Sequence, residues 1–133
     1  MKGVDIKDLK KHVDNRGWLA EFFRPEITGS NKLGQVTITT ANPGIIKANH
    51  FHKRKNEWYC VIKGTMELAL KNIKTNEKET IILDEDKLKL VKIPPNVSHG
   101  FKSIGKDMLF VLMYVDEPFD PADTDTYPDT VIE

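Results

Sequence analysis

Two of the chain's four histidines, His50 and His52, stand one residue apart, and Glu57 follows five positions later. On an extended strand, residues two apart share a face, so both imidazoles project together. The intervening "KRKN" (53–56) is short enough for an antiparallel neighbour to set the Glu57 carboxylate beside them. His99 comes much later, just after the rigid break "IPPNVS". Three imidazoles and one carboxylate suit a borderline divalent ion such as zinc, manganese, iron, nickel or copper. Each ligand must be a neutral imidazole or an ionised carboxylate, so uptake should weaken at low pH. A His-x-His pair on a strand is also what a solvated polar face looks like, and the pair by itself leaves both readings open.

The elements that must position these groups are β-strands. Short runs rich in β-branched and aromatic residues recur at 19–24, 34–41, 45–52, 57–64, 65–72, 78–84, 88–94, 99–104 and 108–116. Turn chemistry separates them: Asn42-Pro43-Gly44, Gly64, the stretch 72–78, Pro94-Pro95-Asn96 and Gly105-Lys106-Asp107. Alternation at Met66/Leu68/Leu70 and at Val36/Ile38 predicts sheets with one buried face. About nine short strands at regular spacing predict an all-β sandwich or barrel. Only the stretch 4–13, "VDIKDLKKHV", reads as a short helical turn. The segment 117–133, with three prolines and alternating acids, reads as an extended tail docked on the surface through Phe119 and Tyr127.

The 133 residues fit one domain, 1–133, with enough chain to bury a core. Cys60 is the only cysteine, which excludes an intrachain disulfide and fits a reducing compartment. No apolar run approaches 18 residues and the start carries no signal core, so the expectation is a cytoplasmic chain with no membrane span. Net charge is zero but uneven: seven acids and no Lys or Arg lie from Asp116 onward, leaving a basic surplus of seven in residues 1–115. That body favours an anionic small molecule. No basic run is interleaved with stacking aromatics, which argues against nucleic acid.

The full spacing is Gly44, five residues, His50-x-His52, four residues, Glu57, six residues, Gly64, and later Pro94-x-Asn96-x-x-His99. This resembles the cupin superfamily. Its first motif, G(x)5HxH(x)3-4E(x)6G, is met at every fixed position. Its second, G(x)5PxGxxH(x)3N, is met at Pro94 and His99, with Asn96 at the usual glycine and Ser103 at the usual asparagine. The resemblance implies a jelly-roll antiparallel β-barrel. It also implies metal ligands at His50, His52, Glu57 and His99, with zinc first and manganese, iron or nickel as alternatives.

A narrower resemblance rests on "DNRGWLAEFF", "GQVTITTANPGIIKANHFH", "IPPNVSHGF" and "DEPFDPADTDTYPDT". These look like the sugar-nucleotide cupins related to dTDP-4-dehydrorhamnose 3,5-epimerases. They look most like the cupin portion of capsular-polysaccharide enzymes that act on UDP-4-keto-6-deoxy sugars. What this implies is epimerisation at C3, or at C3 and C5, of a nucleotide-linked 4-keto-6-deoxy sugar in surface-polysaccharide biosynthesis, by a homodimer. A 4-keto group acidifies the neighbouring C–H bonds, so the site needs a base, an acid and a stabiliser of the enolate oxygen. The resemblance puts His50 at the base, Tyr114 near the acid, and Lys47, Asn49 and Arg16 against the substrate. His50 thus has two implied roles, base in the rhamnose-type enzymes and ligand in the metal-containing ones. Glu57, standing where the former carry lysine, favours the ligand. Tyr114 lies one place from the position of the family's tyrosine, which Met113 occupies, and one residue on a strand reverses the face. With no Gly-rich dinucleotide fingerprint, a reductase partner would be another protein. The alternatives are a sugar-nucleotide ketoisomerase, or a non-catalytic sugar-binding cupin with a structural metal. Cys60 is expected to be buried and inert, His12 to lie on the surface, and Trp18, Phe22 and Phe23 to serve the core or a dimer edge.

Overall fold

The computed structural model describes residues 1–32 and 34–133. Two five-stranded sheets pack face to face as a jelly roll. The first has the order β1 (Asp5–Asp8), β9 (Lys89–Ile93), β6 (Glu57–Lys63), β11 (Leu109–Val115), β4 (Gln35–Ala41). The second has the order β12 (Tyr127–Pro128), β5 (Ile46–Phe51), β10 (Val97–Ser103), β7 (Thr65–Asn72), β8 (Lys78–Asp84). All of these pairings are antiparallel. A small hairpin, β2 (His12–Asp14) and β3 (Gly17–Leu19), makes a separate two-stranded sheet. The single helix among the described residues, α1 (Pro25–Thr28), is one turn long, and no helix is long and apolar enough to cross a membrane.

Period-two alternation decides which residues meet. On β6, Glu57, Tyr59 and Val61 face the other sheet, where Met66, Leu68, Leu70, Val97 and Phe101 join them in the main core. Trp58 and Cys60 face outward into a second cluster with Leu9, Leu88, Leu90 and Tyr114, covered by Ala20, Phe22, Phe23 and Ile27. The first sheet is therefore buried on both faces over much of β6, which is why "EWYCVIK" reads as a continuous apolar run.

Three local expectations change. Residues 4–13 contain a strand, not a helical turn: β1 pairs with β9 from Asp5↔Lys92 to Asp8↔Lys89. Its side chains are all exposed, so no buried period marks it, and pairing with an otherwise open edge decides its conformation. Residues 20–24 leave the sheet, because Phe22 and Phe23 fold down over Trp58 and Tyr114. Val36 and Ile38 lie on the outer face of the edge strand β4 and stay 53% and 64% exposed, instead of being its buried face. In the tail, Tyr127 and Pro128 pair with Phe51 and His50, while Phe119 stays exposed.

Candidate metal centre

The first cupin-like motif folds as a hairpin whose two ends need glycine. Gly44 and Gly64 have φ of 85° and 87°, and at Gly64 a Cβ would also come within 3.0 Å of the Leu109 backbone. Asn96, at the usual glycine of the second motif, takes φ 64°, which asparagine tolerates. Between these turns, β5 carries a bulge. Its register with β10 runs His50↔His99 and then Ala48↔Gly100, leaving Asn49 as the extra residue, with Ala48 and Asn49 both at positive φ. The bulge lets His50 and Lys47 both lie opposite inward-facing residues, His99 and Phe101.

His50, His52, Glu57 and His99 are brought together, with one candidate ligand atom from each lying within 4.8 Å of all the others. His52, Glu57 and His99 are buried, and His50 is half-buried. The ring centroids are 4.9 Å apart for His50–His52, 4.8 Å for His50–His99 and 5.6 Å for His52–His99.

The hydrogen bonds fix which nitrogen of each buried ring is available. His52 Nδ1 is 2.7 Å from the Asp125 carbonyl oxygen, and His99 Nδ1 is 3.0 Å from that of Val97. A carbonyl only accepts, so each Nδ1 carries the proton and each Nε2 carries a lone pair when the ring is neutral. Both lone pairs point at the Glu57 carboxylate, His52 Nε2 at 2.5 Å from Oε1 and His99 Nε2 at 3.3 Å from Oε2. Glu57 Oε2 and His99 Nε2 are buried with no hydrogen-bond partner among the described residues. Acceptors converging on acceptors call for a shared cation, and this donor set fits a tetrahedral divalent ion.

The groups also shift one another's titration. Burial raises the Glu57 carboxyl, but the adjacent His52 and His99 imidazoles outweigh it and hold the group well below its ordinary range. Burial lowers His52, but Glu57 and the Asp125 carbonyl bring the net shift upward. Burial, then the neighbouring His99, push His50 down to about 4, so it is neutral at physiological pH. Burial and then the Glu57 carboxylate drive the Tyr59 phenol well above its usual value, so it stays protonated.

The remaining predicted site residues separate. Lys47 is exposed, and its Nζ donates to Thr39 Oγ1 at 3.1 Å, linking β5 to the edge strand β4 of the other sheet. Asn49 grips the C-terminal tail: its Oδ1 accepts from the Val131 and Ile132 amides at 2.9 and 3.2 Å, and its Nδ2 donates to the Ile132 carbonyl at 3.0 Å. These bonds give Asn49 a structural role in holding the tail. Arg16 stands in the β2–β3 hairpin, paired with Asp14 at 2.5 Å and 86% exposed. Tyr114 faces away from the imidazoles, fully buried between Trp58 and Phe23, with centroids at 5.0 and 4.1 Å. Pairing of Tyr114 with Trp58, and of Met113 with Tyr59, sets this orientation. Of the adjacent pair Trp58 and Tyr59, one of which alternation turns into the barrel, it is Tyr59 that faces inward, its ring edge-on to His99 at 5.7 Å. Sequence reasoning missed Gln35, Thr37 and Thr39, which lie on the inward face of β4 opposite Val115, Met113 and Val111. Polar residues at alternate positions of an edge strand were the available signal.

Comparison with known proteins agrees with this architecture. Residues 12–127 match the family described as the polysaccharide biosynthesis C-terminal domain. The chain belongs to that family. It is 28% identical over 128 residues to the spore coat polysaccharide biosynthesis protein SpsL of Bacillus subtilis, covering 92% of this chain and 85% of that one. It is 31% identical over 126 residues to UDP-2-acetamido-2,6-beta-L-arabino-hexul-4-ose reductase of Pseudomonas aeruginosa, covering 95% of this chain but 32% of the reductase. Among solved structures, the capsular polysaccharide assembling protein CapF of Staphylococcus aureus superposes with a TM-score of 0.72 at 33% identity, over 92% of this chain and 34% of CapF. The chain thus spans about a third of the reductase and of CapF. A dTDP sugar isomerase from Desulfovibrio desulfuricans shares the fold more closely, with a TM-score of 0.88 at 18% identity over 98% of this chain and 85% of that one. The all-β cupin jelly roll expected from the motifs is the fold found.

Proposed function

We propose that residues 1–133 form one metal-binding cupin unit that epimerises a nucleotide-linked 4-keto-6-deoxy sugar, at C3 or at C3 and C5, in surface-polysaccharide biosynthesis. The observation that carries the metal reading is the convergence of His52 Nε2, His99 Nε2 and the Glu57 carboxylate on one point, with Glu57 Oε2 and His99 Nε2 buried and unpartnered among the described residues and His50 alongside. The sugar reading is supported by the relatives, which are named for spore coat and capsular polysaccharide assembly and for a UDP-hexulose reductase.

A bound divalent ion, zinc first, would polarise a ketone oxygen or hold the barrel mouth closed. The chain's own groups supply the rest. His50, half-buried, is the member of the cluster most open to a substrate C–H, and its imidazole could take up a proton only while it is not holding the ion. Lys47, on the same side, offers a positive charge to phosphate or to an enolate oxygen. Arg16, on its exposed hairpin, would reach across a dimer seam to the substrate phosphate of a second copy. Val13, Trp18 and Leu19 of that hairpin are 70%, 50% and 62% exposed, as are Val36 and Ile38 on β4 to a similar degree, which supports a homodimer. Sugar-nucleotide chemistry of this kind belongs in the cytoplasm.

A second reading has its own support. Tyr114 is sealed on the opposite face of β11 from His50, which favours a sugar-binding cupin with a structural metal and no epimerase activity. Incubation with a UDP- or dTDP-4-keto-6-deoxy sugar in D₂O, followed by NMR, separates the two. Epimerisation predicts deuterium at C3 or C5 well above the no-enzyme rate. Saturable binding with exchange only at the background rate removes the catalytic reading and leaves the second.

A further inference from the structure

His52 differs from the other three candidate ligands in lying outside a strand. It follows the last residue of β5, Phe51, and opens the turn toward β6. No ladder holds it on both sides, and what holds it comes from 73 residues further along. The Asp125 carbonyl accepts the His52 Nδ1 proton. The Asp125 carboxylate, fully buried, accepts from the backbone amides of Lys53, Arg54 and Lys55 at 3.0, 2.9 and 3.2 Å, and so shapes the turn that starts at His52. Asp125 itself sits at φ 46°, a left-handed conformation that aspartate tolerates.

The chain that follows grips β5. Tyr127 and Pro128 pair with Phe51 and His50, and the Tyr127 ring stacks on Phe51 at 5.3 Å. The Asp129 amide donates to the Asn49 carbonyl at 2.9 Å, and the Asn49 side chain takes Val131 and Ile132. Residues 125–132 therefore form a strap over the strand that carries His50 and leads into His52.

We propose that Asp125 is a positioning residue for the metal centre, and that docking of the strap 125–132 and metal binding at His50, His52, Glu57 and His99 reinforce each other. The proposal rests on the metal reading above. By fixing the proton on Nδ1, Asp125 directs the Nε2 lone pair of His52 at the ion, and by fixing the turn it removes the freedom the ring would otherwise lose on binding. Whatever the docked strap adds to metal affinity, the bound metal must return to strap docking, because the coupling is reciprocal.

The test uses the full chain and zinc alone. Asp125→Gly removes the carboxylate while keeping positive φ accessible, and Asp125→Asn keeps one short acceptor oxygen. Zinc affinity, measured by competition with a chelator, is expected to fall about 10- to 100-fold in Asp125→Gly and by less in Asp125→Asn. Hydrogen exchange of the Val131 and Ile132 amides is expected to slow on adding zinc to the wild type, and to respond less in Asp125→Gly. A merely structural Asp125 would lower thermal stability and leave zinc affinity unchanged. Equal affinity in folded wild type and both variants, or strap amides indifferent to zinc in the wild type, overturns the proposal. A wild type that binds no zinc overturns the metal reading as well, so the two failures are told apart.

Discussion

Gly100→Ala is expected to loosen the strap without touching a candidate ligand. Gly100 lies on β10 opposite Ala48, just past the bulge. A Cβ there would come 2.3 Å from Asn49 Oδ1 and 2.8 Å from Ile132 Cγ2, closer than atoms can approach. The Asn49 side chain must then leave its place, breaking its hydrogen bonds to Val131 and Ile132 at 2.9, 3.0 and 3.2 Å. At about 1 kcal/mol each these sum to about 3 kcal/mol, and rehydration of the freed groups reduces the net loss to about 2 kcal/mol. For a chain of this size that is a fall in Tm of about 5–10 °C. Differential scanning fluorimetry of metal-free wild type and variant reads it directly, and exchange of the Val131 and Ile132 amides should quicken in parallel. A Tm within about 1 °C of wild type, with the strap amides still protected, would refute the claim that Asn49 and Gly100 interlock to hold the tail.

Three other outcomes follow from the same geometry. In metal-free protein, His50 has a folded pKa of about 4 against an ordinary 6.5, so between those values the unfolded chain binds the proton more readily and stability falls as pH falls. After discounting for its partial exposure, denaturant titrations at pH 7.5 and 4.5 should show wild type losing about 2 kcal/mol more than His50→Asn; equal losses would contradict the buried neutral imidazole. Ile38→Asp, on the exposed face of β4, should shift the mass seen by light scattering from dimer to monomer while the circular dichroism spectrum stays unchanged; an unaltered dimer would move the interface elsewhere. His52→Ala should abolish stoichiometric metal, whereas Tyr114→Phe, on the outer face, should leave metal content at the wild-type value; loss of metal in Tyr114→Phe would contradict the assigned faces.

The cluster of three histidines and one glutamate was legible because its residues stand at fixed spacing. His50 and His52 share a face by alternation, and the glycines that close the hairpin stand where positive φ is required. The strands β7 and β8 also matched their expected limits, since their apolar alternation is set by a buried face. What did not show in the sequence was decided by partners distant along the chain. β1 has no buried side chain to announce it and exists because β9 offers an edge. Asn49 resembled a substrate contact until the tail, more than 80 residues on, claimed its amide. Tyr114 depended on a single residue of register, which pairing with Trp58 resolved against the site. Asp125 lay within the recognised stretch 116–130 but nothing singled it out, because its partners, the His52 ring and the amides of Lys53, Arg54 and Lys55, are about 70 residues away along the chain.

The central claim is that four side chains converge to hold one divalent ion, and X-ray absorption on the zinc-loaded protein tests it most directly. The account predicts one zinc per chain with three imidazole nitrogens and one carboxylate oxygen at about 2.0–2.2 Å, and loss of that shell in His52→Ala. Failure of the folded wild type to retain stoichiometric zinc, or a coordination shell unchanged in His52→Ala, would contradict it.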